Sequence, residues 1–395
     1  MTAAASIASA PPRLVVHIGP MKTGSTSLQR TLAAHADALA AAGVSYPLHE
    51  DSVTWHPHNQ QRAVYGMFGS VVPWVTPQRQ HHYRAAGAHL AQTLEQWPGD
   101  VLLSAEAFSA MTAADLADSL RTLAAPAQRG ITVIAVLRDL ARALPSQWQQ
   151  DLRSGRGRDL AEFLDRFRTG SDRGSGNART MFDYAHQVER LIAAVGVESV
   201  VVVTVPPPGN PPDLLWRRFA EATGLPAVRA IDPARGDQAA NRSLSAAECE
   251  TLRRLNLALH DAGADPQRTA TLRYRIVREA WWPRDRRDAP VALPAAALDW
   301  LEPICQHARD TIRATGVPLI GEWDDLLPHP AHSPAGSGGL DGAVDPSALL
   351  AAHEAALAWL AGVWAEPVEP PAVPAAAKPG LLSRVRGRSG AAPAR

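Results

Sequence analysis

The stretch Arg13-Leu14-Val15-Val16-His17-Ile18-Gly19-Pro20-Met21-Lys22-Thr23-Gly24-Ser25-Thr26-Ser27-Leu28-Gln29 decides what kind of fold to expect. It opens with a β-branched apolar run, Arg13 to Ile18, that stops at Gly19-Pro20, which reads as a buried strand ending in a tight turn. Beyond the turn Leu28, Leu32, Ala36 and Leu39 recur at helical spacing, and Gly43 stands where a helix would end. The predicted unit is strand, glycine-bearing loop, helix. A loop so placed turns backbone N–H groups and a helix N-terminus toward one point, which favours an anion there.

Outward from this unit, Val101 to Ser104, Ile131 to Leu137 and Ser199 to Val205 are further apolar runs, each preceded by a helix-compatible stretch. Near-continuous apolar strands alternating with helices predict an α/β fold: a P-loop three-layer αβα core with a mainly parallel sheet. Two poorly patterned regions, around Trp55 to Arg79 and Ser154 to Arg179, are expected to be insertions covering the ligand crevice. Leu244, Leu252, Leu255 and Leu259 mark another helix, with Ser243 or Ser245 as its cap. The expected organisation is a flexible N-terminus over 1–12, one domain over 13–327, and a Pro/Ala-rich linker over 328–395. That linker would carry a helix near 345–364 and a basic, disordered tail.

Lys plus Arg number 39 and Asp plus Glu number 39, so no overall field steers the chain toward nucleic acid or a membrane surface, and an anion site must be built locally. Only Cys249 and Cys305 occur, at neither metal-ligand nor disulfide-framework spacing, and both are expected to be buried thiols. With no secretory pattern in Met1 to Pro12 and no long uncharged apolar run, a cytoplasmic location is the expectation.

In a nucleotide kinase the loop lysine directly follows the second glycine. Here Ser25 follows Gly24 and Lys22 precedes it, which weakens an ATPase reading. The pattern Lys22-Thr23-Gly24-Ser25-Thr26 after a strand resembles the 5′-phosphosulfate loop of the sulfotransferases that use 3′-phosphoadenosine 5′-phosphosulfate (PAPS). The resemblance implies that Pro20, Lys22, Thr23, Gly24, Ser25 and Thr26 bind the donor, and that Lys22 neutralises the leaving group as its bond breaks. It extends to Val136-Leu137-Arg138 and Pro145-Ser146. An Arg at a strand end and a Ser eight positions later match the family's 3′-phosphate site, so Arg138 and Ser146 would hold that phosphate, with Pro145 opening a helix. Arg142 reads as a solvated charge, and Arg138-Asp139 alone would read as a surface ion pair.

Sulfuryl transfer needs a base for the acceptor's proton. Glu106, just past a predicted strand end, is one candidate, equally readable as a helix N-terminal carboxylate; His56 and His58 are its rivals. His17 reads as structural, and no metal is expected. Asn241-Arg242-Ser243 and Arg153, Arg156 and Arg158 are polar clusters that could reach a ligand or merely solvate a loop. The resemblance thus implies transfer from PAPS, releasing 3′-phosphoadenosine 5′-phosphate (PAP), to a hydroxyl or amine of a small-molecule or carbohydrate acceptor. A P-loop phosphotransferase using ATP and a non-catalytic nucleotide-binding relative are the alternatives.

Overall fold

The computed structural model describes residues 11–49, 58–171, 178–233, 243–284, 291–329 and 344–365. Six strands form one all-parallel sheet: β1 (Arg13–His17), β2 (Val44–Ser45), β3 (Asp100–Ser104), β4 (Gly130–Leu137), β5 (Val200–Thr204) and β6 (Leu319–Ile320), in the order β2-β3-β1-β4-β5-β6. Alternation along β1 divides the core. Leu14 and Val16 face helices Arg84–Gln96, Ala113–Ala124, Tyr184–Val195 and Ala295–Ala314, whereas Val15 faces Leu28, Leu32 and Phe219 on the opposite side. Helices therefore cover both faces, and the three-layer α/β reading holds. The edge strands β2 and β6 have two residues each, too short to stand out as apolar runs.

Strand order places the functional crevice. From β1 the chain moves one way to β2 and β3 and the other way to β4, β5 and β6, so β1 marks the topological switch, where ligands gather beyond the strand C-termini in open α/β sheets. The loop after β1, the segment after β3 and the residue after β4 thus share one rim.

Several local expectations need correction. The helical pattern after the loop is split into α1 (Ser25–Ala34) and a short helix Ala36–Ala41, because His35 leaves helical geometry with φ −117 and ψ 15. The region from Ser154 to Arg179 contains helix Leu160–Thr169, capped by Asp159, which buries Leu160, Phe163, Leu164 and Phe167. The surrounding Arg and Gly residues masked that stripe. Similarly, helices Gln61–Phe68 and Pro77–His82 occupy the described part of the first irregular region.

Pro145 does not open a helix: helix Leu140–Arg153 begins at Leu140, and both Pro145 and Ser146 lie in its interior. The cause of the early start is Asp139. This fully buried carboxylate caps the helix by accepting from the Arg142 N–H (2.9 Å) and pairs with the Arg142 guanidinium. Arg142 also donates to the carbonyls of Pro206 (2.9 Å) and Val205 (3.3 Å), so it ties this helix to the end of β5 rather than standing in solvent. Asp139 therefore belongs to a buried pair with Arg142, not to a surface one.

Later in the chain Ser245, rather than Ser243, caps helix Ala246–Asp261, in a capping box with Glu248. That helix packs on Leu140–Arg153 and on helix Pro346–Ala365, which buries Ala352 and Ala356. Both cysteines are buried and neither forms a disulfide, and burial pushes the Cys305 thiol up to about 12. No helix among the described residues is long and apolar enough to cross a membrane. The tail Lys378 to Arg395 lies outside the described residues.

Replacing Asp139 strands a largely buried cation and uncaps a helix. Asp139→Ala is expected to lower unfolding stability by about 3–5 kcal/mol, read from the denaturant midpoint.

Candidate functional site

The loop between β1 and α1 is built to leave N–H groups open. Gly24 is the α1 N-cap with φ 92, a left-handed conformation that favours glycine, and it has no side chain with which to cap the helix. The first intrahelical bonds are donated by Ser27 and Leu28 to the Gly24 carbonyl, and no acidic residue lies in the first turn. The N–H groups of Ser25 and Thr26 therefore precede the helical ladder, at the positive end of its dipole. Thr23, fully buried, braces the loop by donating from Oγ1 to the Pro20 carbonyl (2.9 Å).

Lys22 adopts φ 74, unusual for a non-glycine residue, and is held at both ends. Its carbonyl accepts from Arg138 Nη1 (3.1 Å), while its Nζ donates to Gln150 Oε1 (2.8 Å) on helix Leu140–Arg153. The strand-end arginine thus sits directly against the loop. Its Nε is buried with no hydrogen-bond partner, and burial pushes the guanidinium down to about 10. Ser146 is half-buried on the second turn of helix Leu140–Arg153.

Burial also pushes Lys22 down to about 7, helped by the nearby Arg153 and Arg138 charges and opposed by Glu106 and Asp151. Glu106 begins the short helical turn Glu106–Ala110 beyond β3. Burial raises its pKa, while hydrogen bonding and the Lys22 charge counteract that rise. Gln29 Nε2 donates to Glu106 Oε1 at 3.3 Å. Ser25 Oγ is buried without a hydrogen bond of good geometry, although it lies near enough to Glu106 to favour the carboxylate.

Lys22, Thr23, Gly24, Ser25, Thr26, Arg138 and Glu106 therefore share one rim. His56 lies outside the described residues, as do Asn241 and Arg242. His58 is described; its carbonyl accepts from the Tyr46 hydroxyl (2.5 Å), and burial followed by the Arg30 charge lowers its pKa. Arg153 stacks over Trp282 at 5.9 Å and Arg156 pairs with Asp151 at 2.6 Å, so neither only solvates a loop. Among the described residues, no group of three or more His, Cys, Asp or Glu side chains could hold a metal ion. Sequence reasoning gave no role to Gln150, or to Gln29 at the end of the loop stretch, because their contacts become visible only when helix faces are placed.

No protein-family model matches the chain, and no curated protein matches it significantly. Among solved structures, the crystal structure of a sulfotransferase from Alicyclobacillus acidocaldarius aligns with 70% of this chain and 100% of its own, at 14% identity and a TM-score of 0.37. That likeness is too remote to carry an argument about either fold or function.

An anion bound at the loop would favour charged Lys22, raising a pKa that starts at about 7. Binding should then take up a proton above neutrality, and affinity should fall as pH rises from 7 toward 9. Calorimetry with PAP at pH 8, in buffers of different ionisation enthalpy, is expected to show that uptake, and Lys22→Met to abolish it.

Proposed function

We propose that this chain is a sulfotransferase that moves a sulfuryl group from PAPS to a hydroxyl, or an amine, of a small-molecule or carbohydrate acceptor. The observation that carries the reading is the contact between Arg138 Nη1 and the Lys22 carbonyl, which sets a strand-end guanidinium beside an uncapped helix N-terminus. Two anion-binding elements so close can serve two phosphate-bearing ends of one nucleotide. The loop N–H groups, Lys22, Ser25 and Thr26 would take the 5′-phosphosulfate, and Arg138 with Ser146 the 3′-phosphate.

In the reaction the acceptor oxygen attacks sulfur in line, a new O–S bond forms, and the bond from sulfur to the bridging oxygen breaks. Lys22 offsets charge on the departing PAP, and Glu106 takes the acceptor's proton. Support for Glu106 comes from its place on the rim within the field of Lys22. A raised pKa brings a carboxylate nearer to the range useful for proton transfer.

Calorimetric titration with PAP tests the donor assignment. The wild type should bind PAP far more tightly than adenosine 5′-phosphate, and Arg138→Ala should lose at least tenfold in affinity for PAP with little change for the analogue lacking the 3′-phosphate. Equal binding of both by the wild type would refute the assignment. Magnesium-dependent turnover of ATP would favour phosphoryl transfer instead.

A further inference from the structure

Behind the loop runs a chain of buried amides and hydroxyls whose direction is fixed at one end. The backbone N–H of Gln61 can only donate, and it donates to Asn59 Oδ1 (3.0 Å). Asn59 must then present Nδ2 to its other partner, and it donates to Gln29 Oε1 (3.0 Å). Gln29, 2% exposed, in turn presents Nε2 to both Ser104 Oγ (2.9 Å) and Glu106 Oε1 (3.3 Å). Ser104 Oγ, already accepting, has its own proton to place, and its other partner is His17 Nδ1 at 2.8 Å. Each amide orientation follows from the one before it.

We infer that Asn59 and Gln29 are positioning residues for Glu106, fixing which side of the Gln29 amide faces its carboxylate and so holding Glu106 as a hydrogen-bond acceptor. An amide N–H aimed at the carboxylate favours the ionised form, the form a base needs. Lys22 from the loop and Tyr46 from the segment after β2 are titratable groups within the field of the same carboxylate. The same chain leaves the His17 proton on Nε2. His17 is 1% exposed and its Nε2 has no hydrogen-bond partner, in keeping with a neutral ring whose pKa burial pushes down to about 4. The neighbouring turn is docked by the same segment, since Gln60 Oε1 accepts from the Ser104 N–H (2.7 Å) and Gln61 Oε1 from the Ala107 N–H (2.9 Å). The catalytic meaning of this positioning rests on the proposed role of Glu106, but the hydrogen-bond direction does not.

The test is nuclear magnetic resonance on protein carrying 15N-histidine and carboxyl-13C glutamate, with the Glu106 signal identified by its loss in Glu106→Gln. Wild-type His17 is expected as the Nε2–H tautomer. Gln29→Met removes the donor, so Glu106 should titrate at higher pH. In Asn59→Asp the new carboxylate would draw the Gln29 amide N–H toward itself, reversing every bond beyond it; Glu106 should again titrate higher and His17 should switch to Nδ1–H. A wild-type Nδ1–H tautomer, or an unmoved Glu106 titration in Gln29→Met, overturns the inference. Should Asn59→Asp fail to fold, those two measurements still decide. Wild-type PAP affinity, measured alongside, separates the outcomes: its absence sinks the proposed function and leaves the relay standing.

Discussion

Everything at the rim depends on the main chain leaving β1 at the switch point and turning back into α1 without a side-chain cap. Gly24 makes the turn possible, and the open N–H groups of the first helical turn follow from it. Arg138 then finds the Lys22 carbonyl because β4 lies next to β1, its register bringing His17 opposite Ile134 and its end to the loop. Glu106 arrives from the other neighbour, β3, where His17 lies opposite Ser104. Three parallel strands place three chemical groups on one edge.

The balanced formal charge of the chain says little about this edge, because burial sets the local electrostatics. Burial pushes Lys22 down and Glu106 up, each toward its neutral form, so the pair costs less to bury than two full charges would. An incoming anion shifts that balance toward the ammonium. Asp139 and Arg142 sit nearby but satisfy one another and the end of β5, which keeps them out of the exchange.

The parallel core was legible because β-branched runs such as Ile131 to Leu137 and Ser199 to Val205 have no polar face to confuse the pattern. β2 and β6 were not, since a two-residue strand has no periodicity. Pro145 misled in a simple way: proline suits a first turn, but the buried cap at Asp139 begins the helix earlier and carries Pro145 within it. Arg142 misled because solvation is the ordinary state of an isolated arginine, and its carbonyl partners lie just beyond the end of β5, more than sixty residues away. The positions of Lys22 and Glu106 relative to strand ends could be read from the sequence. Their mutual electrostatics could not, because desolvation depends on what the helices cover.

The polar chain from Gln61 to His17 adds a constraint of another kind. A buried amide can be turned around without changing its shape, so packing alone does not choose its hydrogen-bond direction. Here a backbone N–H chooses it, and the choice passes through Asn59 and Gln29 to Ser104 and Glu106. Gln61, which docks helix Gln61–Phe68 beyond the end of β3 by accepting from the Ala107 N–H, therefore also sets the direction of the chain that reaches Glu106. The hydrogen bonds that hold this segment against β3 are continuous with those that orient the amide at Glu106.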